Sequence, residues 1–118
     1  MEERRRFVRL STSVKVEYAV VGESDEEVSS STKNISLGGI CLFLDNIVDK
    51  GAILELKIFV LKEVNPIKAR GKVAWIEEFG LGEADTRKHI EAGIEFTQIP
   101  DGDRERLSQY IFKSLVKV

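Results

Sequence analysis

Lys33-Asn34-Ile35-Ser36-Leu37-Gly38-Gly39, followed by the apolar run Ile40-Cys41-Leu42-Phe43-Leu44, is the stretch around which the rest of the chain is organised. Asn34 and Ser36 are two residues apart, so on an extended backbone they share one face, while Ile35 points the other way, towards a core. Gly38-Gly39 either turns the backbone tightly or admits a ligand where a Cβ would clash. A polar pair, a glycine turn and a buried strand together describe a sheet that presents a small site at its edge.

Working outward, the first ten residues carry four arginines, Arg4, Arg5, Arg6 and Arg9. They read as a flexible arm over residues 1–10, with Phe7, Val8 and Leu10 able to dock part of it. Ser11 to Val20 alternates, with Val14, Val16, Tyr18 and Val20 on one face, as a half-buried strand does. Val28 to Ile35 is a weaker, serine-rich strand. Leu54, Leu56, Ile58 and Val60 line a further strand. Asn65-Pro66 marks a turn before the strand Ile67 to Ile76. There Ile67, Ala69, Val73 and Trp75 share one face, and Gly71 suggests a bulge or a close backbone approach. Glu77 to Lys88 reads as a polar loop. Ile90, Ala92, Ile94 and Phe96 alternate again. After Pro100 the period changes, and Leu107, Tyr110, Ile111 and Leu115 follow helical spacing over 102–117, with an aspartate expected at the N-cap. About six short antiparallel strands and one C-terminal helix predict a mainly β fold: a small closed barrel over residues 11–118, capped by the helix. No second domain is expected.

Composition narrows the function. A chain of 118 residues with 42% hydrophobic residues suits one domain, burying roughly 60–70% of its unfolded surface. The net charge of −2 excludes a broadly basic nucleic-acid-coating surface. The single cysteine, Cys41, excludes an internal disulfide or a thiolate zinc site and reads as a packed core thiol. No apolar run reaches the ~20 residues of a membrane span, and no apolar segment follows the N-terminal charges as a secretory signal requires. The expectation is a cytoplasmic protein. His89 reads as a surface histidine with no partner to orient it, and Gly80-Leu81-Gly82 lacks the third glycine and the helix of a dinucleotide loop. No paired carboxylates stand out and no metal or cofactor is expected, so an enzyme is not expected.

What remains is guanidinium chemistry. Arginine forms bidentate pairs with phosphate or with the O6/N7 edge of guanine. Asn34 can donate and accept towards a base, and the Ser36 hydroxyl can do either. That combination suits a small guanine nucleotide.

Together these motifs resemble the PilZ domain family. Arg5-Arg6-Phe7-Val8-Arg9 matches its RxxxR signature, and Asn34-Ile35-Ser36-Leu37-Gly38-Gly39 matches its (D/N)xSxxG signature. The register is unambiguous, because neither Arg4 nor Arg6 has an arginine four residues on. Gly71-Lys72-Val73-Ala74-Trp75 and Ala92-Gly93-Ile94-Glu95-Phe96 are similar to later strands of the family, so the resemblance spans nearly the whole chain. It implies a six-stranded PilZ-type barrel acting as a non-enzymatic bacterial receptor and adaptor for cyclic di-GMP. Arg5 and Arg9 would clamp guanine edges and phosphates, Asn34 and Ser36 would hydrogen-bond a guanine, and Gly39 would keep the strand entrance open. Arg4 precedes the first motif arginine, as in members that hold two stacked ligands. Arg6 and Gly38 would lie close to the ligand, whereas Trp75 fits either the site or the core. The arm would order over the barrel on binding and signal to a downstream protein whose identity the sequence does not give. Two other readings fit the same fold: a ligand-independent protein–protein module, and, with less specific support, an oligonucleotide-binding barrel.

Overall fold

The computed structural model describes residues 8–23, 26–60, 65–80 and 88–116. Arg4, Arg5 and Arg6 lie outside the described residues. The described chain forms β1 (Leu10–Ser11), β2 (Lys15–Val20), β3 (Val28–Ile35), β4 (Gly39–Leu44), β5 (Ile53–Phe59), β6 (Ile67–Gly80), β7 (Lys88–Gln98) and α1 (Asp101–Leu115). All pairings are antiparallel and run β3-β2-β5-β6-β7-β4, and β4 pairs back with β3 to close a six-stranded barrel. The short β1 is the extra strand, pairing with the end of β3 that β2 does not reach.

Alternation dictates closure. Val16 faces Ile58, Tyr18 faces Leu56 and Val20 faces Leu54 across β2 and β5. Ile58 faces Ile67 and Leu56 faces Ala69 across β5 and β6. These rows point inward with Ile35, Ile40, Leu42, Val73 and Ile94 to form one core. Fully burying each large aliphatic side chain stabilises the fold by roughly 1.5–3 kcal/mol. The expected strand Ser11 to Val20 is interrupted at residues 12–14, where Thr32 replaces the missing ladder. Its hydroxyl donates to the Thr12 carbonyl at 2.6 Å and accepts the Val14 N–H at 3.1 Å.

The structure corrects four expectations. Ala74 is an extra residue in β6, because Val73 pairs with Ile94 and Trp75 with Gly93. This bulge reverses the faces beyond it, so Trp75 leaves the core side and is 40% exposed. The loop expected over residues 77–88 is partly strand, with Glu77 opposite Glu91 and Phe79 opposite His89. Among the described side chains of that end, only Ile76 and Ile90 reach the core cluster, which is why its alternation is weak. Residues 81–87 lie outside the described residues. The helix begins with Pro100 at the N-cap and makes no side-chain cap bond. Asp101 and Asp103 stand inside its first turn instead, where negative charge favours the unpaired N–H groups. Finally, Leu107, Tyr110 and Ile111 are buried, but Leu115 in the last turn is 48% exposed.

α1 packs against β6 and β1. Tyr110 Oη lies 3.2 Å from Thr12 Oγ1, and Arg106 donates to the carbonyls of Asn65 and Pro66. No helix among the described residues is long and apolar enough to cross a membrane.

Candidate ligand cleft

The outer face of β3, β4, β7 and β6 carries one cross-strand row. Asn34 pairs with Cys41, Cys41 with Gly93, and Gly93 with Trp75. A bulge makes this row: Thr32 pairs with Leu42 and Asn34 with Cys41, leaving Lys33 as the extra residue. Thr32 can therefore point inward while Asn34 points out. Above the row lies a cleft of about 840 Å³ lined by Arg9, Asn34, Ser36, Cys41, Trp75 and Glu95, among others. Its size is that of a small-molecule site.

Arg9 of the first motif and Asn34 of the second meet at its rim. The Arg9 guanidinium donates to the Asn34 side-chain oxygen at 2.7 Å, and the pairing of Leu10 with Ile35 and Ser11 with Asn34 carries Arg9 there. The last residues of the expected arm are thus already attached to the barrel. Gly38, Gly39 and Trp75 also line the cleft. Arg4, Arg5 and Arg6 have no described position.

Ser36 is 3% exposed. Its hydroxyl accepts the N–H groups of Gly38 at 3.1 Å and Gly39 at 3.2 Å, and donates to the Gly39 carbonyl at 3.3 Å. The one donor and both acceptor positions of the hydroxyl are occupied by the turn itself. Among the described glycines only Gly22 and Gly51 have positive φ, so Gly38 and Gly39 do not turn the chain through the left-handed region. At Gly39 a Cβ would strike the Ile94 carbonyl oxygen and lie 3.3 Å from the Glu95 Cα. This glycine lets β4 approach β7.

Gly93 provides a different close approach. A Cβ there would run into the indole of Trp75, with Cδ1 at 2.8 Å. The ring therefore lies directly against the backbone of β7, with the cleft beside it. In the sequence Gly93 stands between the alternating Ala92 and Ile94, with nothing there to mark its role. The match of a glycine on one strand to a tryptophan on the next depends on a register offset by the Ala74 bulge.

Cys41 is buried as expected, but it stands outside the hydrophobic cluster and beside Glu91. Ile40, Leu42 and Leu44 take the inner face of β4, which leaves Cys41 and Phe43 outside. Burial first, and then the Glu91 carboxylate, push the Cys41 thiol up from its ordinary value. Glu91 is 7% exposed and accepts from Lys33 Nζ at 3.2 Å. His89 does have an orienting neighbour, with Nε2 3.4 Å from Glu91 Oε2 and its ring 4.8 Å from that of Phe43. No group of three or more His, Cys, Asp and Glu side chains among the described residues could hold a metal.

The sequence profile of the PilZ domain matches residues 3–113. No curated protein sequence gives a match. Among solved structures, the Bacillus subtilis inhibitor of motility (MotI/DgrA) is similar, with a TM-score of 0.78 and 27% identity over 98% of this chain and 54% of its own. The PilZ domain of YcgR from Escherichia coli, solved with c-di-GMP, has a TM-score of 0.71 and 16% identity over 98% of this chain and 100% of its own. The complex of K. pneumonia MrkH with c-di-GMP has a TM-score of 0.74 and 17% identity over 98% of this chain and 53% of its own. This chain thus spans about half the length of the motility inhibitor and of MrkH, and at the two lower identities the likeness concerns the fold. A closed six-stranded barrel, a hydrogen bond from Arg9 to Asn34 at one cleft, and a profile match over nearly all residues lead to one conclusion: the chain belongs to the PilZ domain family.

Proposed function

We propose that the protein is a non-catalytic receptor for cyclic di-GMP, the ligand held by the YcgR and MrkH structures. The observation that carries this reading is the Arg9–Asn34 hydrogen bond, which joins the two motifs at the rim of a ligand-sized cleft. Arg9, together with Arg5, meets phosphate and the O6/N7 edge of guanine, chemistry for which a guanidinium fork is suited. Asn34 turns from Arg9 to the base. Trp75, half-exposed against Gly93, offers a face on which a base can stack, an interaction worth about 1–3 kcal/mol. Ser36 and Gly39 hold the turn, and a guanine contact by the Ser36 hydroxyl displaces one of its turn bonds. Arg6 and Gly38 border the ligand. Arg4, just before the motif, favours two stacked ligands per chain.

In this account the ligand orders the arginine arm of residues 1–10 over the cleft, and the altered surface is read by a downstream protein in the cytoplasm. A few charge-assisted hydrogen bonds of ~1.5–3 kcal/mol each offset the ordering cost and leave micromolar or tighter binding.

Isothermal titration with cyclic di-GMP tests this, with GTP as the control ligand. Saturable binding to wild type, weakened at least tenfold in Arg9→Ala and Asn34→Ala, as expected for lost charge-assisted bonds, is the predicted result. A folded wild type that gives no heat of binding overturns the reading.

A further inference from the structure

Glu95 is a carboxylate of the cleft that no sequence motif singled out. It lies on β7 two residues beyond Gly93, with Ile94 between them buried in the core, so Glu95 and Gly93 share the outer face. The separation along the strand is roughly 6.5 Å, so the carboxylate stands one side-chain position from the tryptophan-covered glycine. Glu95 lines the cleft with Arg9, Asn34 and Trp75. Its strand neighbours are Gly39 on β4, with no side chain, and Lys72 on β6. The side chain is exposed. Among the described residues it makes no hydrogen bond or ion pair, whereas Glu55, Glu91 and Asp103 all do.

From this placement we infer that Glu95 reads the Watson–Crick edge of a guanine base, accepting its N1–H and 2-amino hydrogens. The inference rests on the receptor reading and deepens it, because it names what makes the site specific for guanine. An ionised carboxylate only accepts hydrogen bonds. Guanine presents two adjacent donors on that edge, whereas adenine presents an acceptor at N1 that a carboxylate repels. The arginines address the opposite, O6/N7 edge and the phosphates. A base stacked on Trp75 is therefore read from both sides, with complementary charge on each. Gly39 keeps the β4 side of Glu95 free of a side chain, so a base edge can come in from there.

The experiment measures dissociation constants of wild type and Glu95→Ala for cyclic di-GMP and for cyclic di-IMP, which differs only in lacking the 2-amino groups. Wild type is expected to bind cyclic di-IMP at least tenfold more weakly, the size of one lost charge-assisted bond. In Glu95→Ala the two ligands are expected to bind within about twofold of each other, the ratio left when no charged acceptor meets the 2-amino group. A purely structural role for Glu95 would weaken both ligands together and leave the wild-type ratio intact, which overturns the inference. Equal binding of both ligands by wild type overturns it too. In both of those outcomes the receptor reading stands. Wild type that binds neither ligand removes the receptor reading and this inference together.

Discussion

Two glycines at the cleft, Gly39 and Gly93, differ in what a methyl group would meet. At Gly39 it meets the backbone carbonyl of Ile94, and at Gly93 the indole of a half-exposed tryptophan. Backbone in a closed barrel cannot move aside, so Gly39→Ala should cost about 1–3 kcal/mol of stability, as overpacking does, and lower the thermal midpoint. Trp75 can move aside, so Gly93→Ala should unfold near wild type yet bind cyclic di-GMP several-fold more weakly, with a shifted tryptophan emission. Equal losses of stability in the two variants would contradict this assignment. Two buried acidic groups also set a pH limit. Burial, chiefly, raises Cys41 and Tyr18 above their ordinary values of 9.0 and 10.0. Above pH 9 the unfolded chain releases these protons before the folded one does. The stability they contribute is full below pH 9 and declines as pH rises beyond it. Urea midpoints should therefore fall between pH 7 and pH 10, and Cys41→Ala should reduce that fall.

At the scale of elements, legibility followed burial. Strands that face the core on one side, such as Lys15–Val20 and Ile53–Phe59, alternate cleanly and were readable from pattern alone. The two bulges were not readable, because Lys33 and Ala74 are ordinary residues whose insertion shows only when the partner strand is known. The second of them took Trp75 from the core side to the cleft. The ends of β6 and β7 were illegible for the opposite reason, as most of their described side chains lie outside the core cluster and carry no period. The helix repeats the lesson, since its spacing placed Leu107 and Leu115 on one stripe but the barrel is reached only by the earlier turns. Leu107→Ala should cost about 2–5 kcal/mol as a buried truncation, whereas Leu115→Ala should stay within about 0.5 kcal/mol as a surface change. Denaturant unfolding of the two variants checks this, and comparable losses would mean that the last turn is covered.

On the scale of the whole molecule, barrel closure makes the cleft. Asn34, Cys41, Gly93 and Trp75 lie on four strands and far apart in sequence, yet the pairing of β4 with both β3 and β7 sets them in one row. The two binding motifs named the polar half of this arrangement, Arg9 with Asn34, whereas Gly93 and Glu95 stood only within a stretch similar to a later family strand, because their roles exist only once the sheet is closed. If ligand draws the arm over the cleft, hydrogen exchange at residues 1–10 should slow on saturation with cyclic di-GMP, while exchange in the distant β2–β5 ladder should not change. The most direct measurement uses Trp75 itself, the only tryptophan in the chain, whose emission reports on the cleft and nowhere else. Titration with cyclic di-GMP should change that emission saturably, with the same dissociation constant that calorimetry gives. Calorimetric binding that leaves the tryptophan emission unchanged would place the ligand elsewhere and contradict the account.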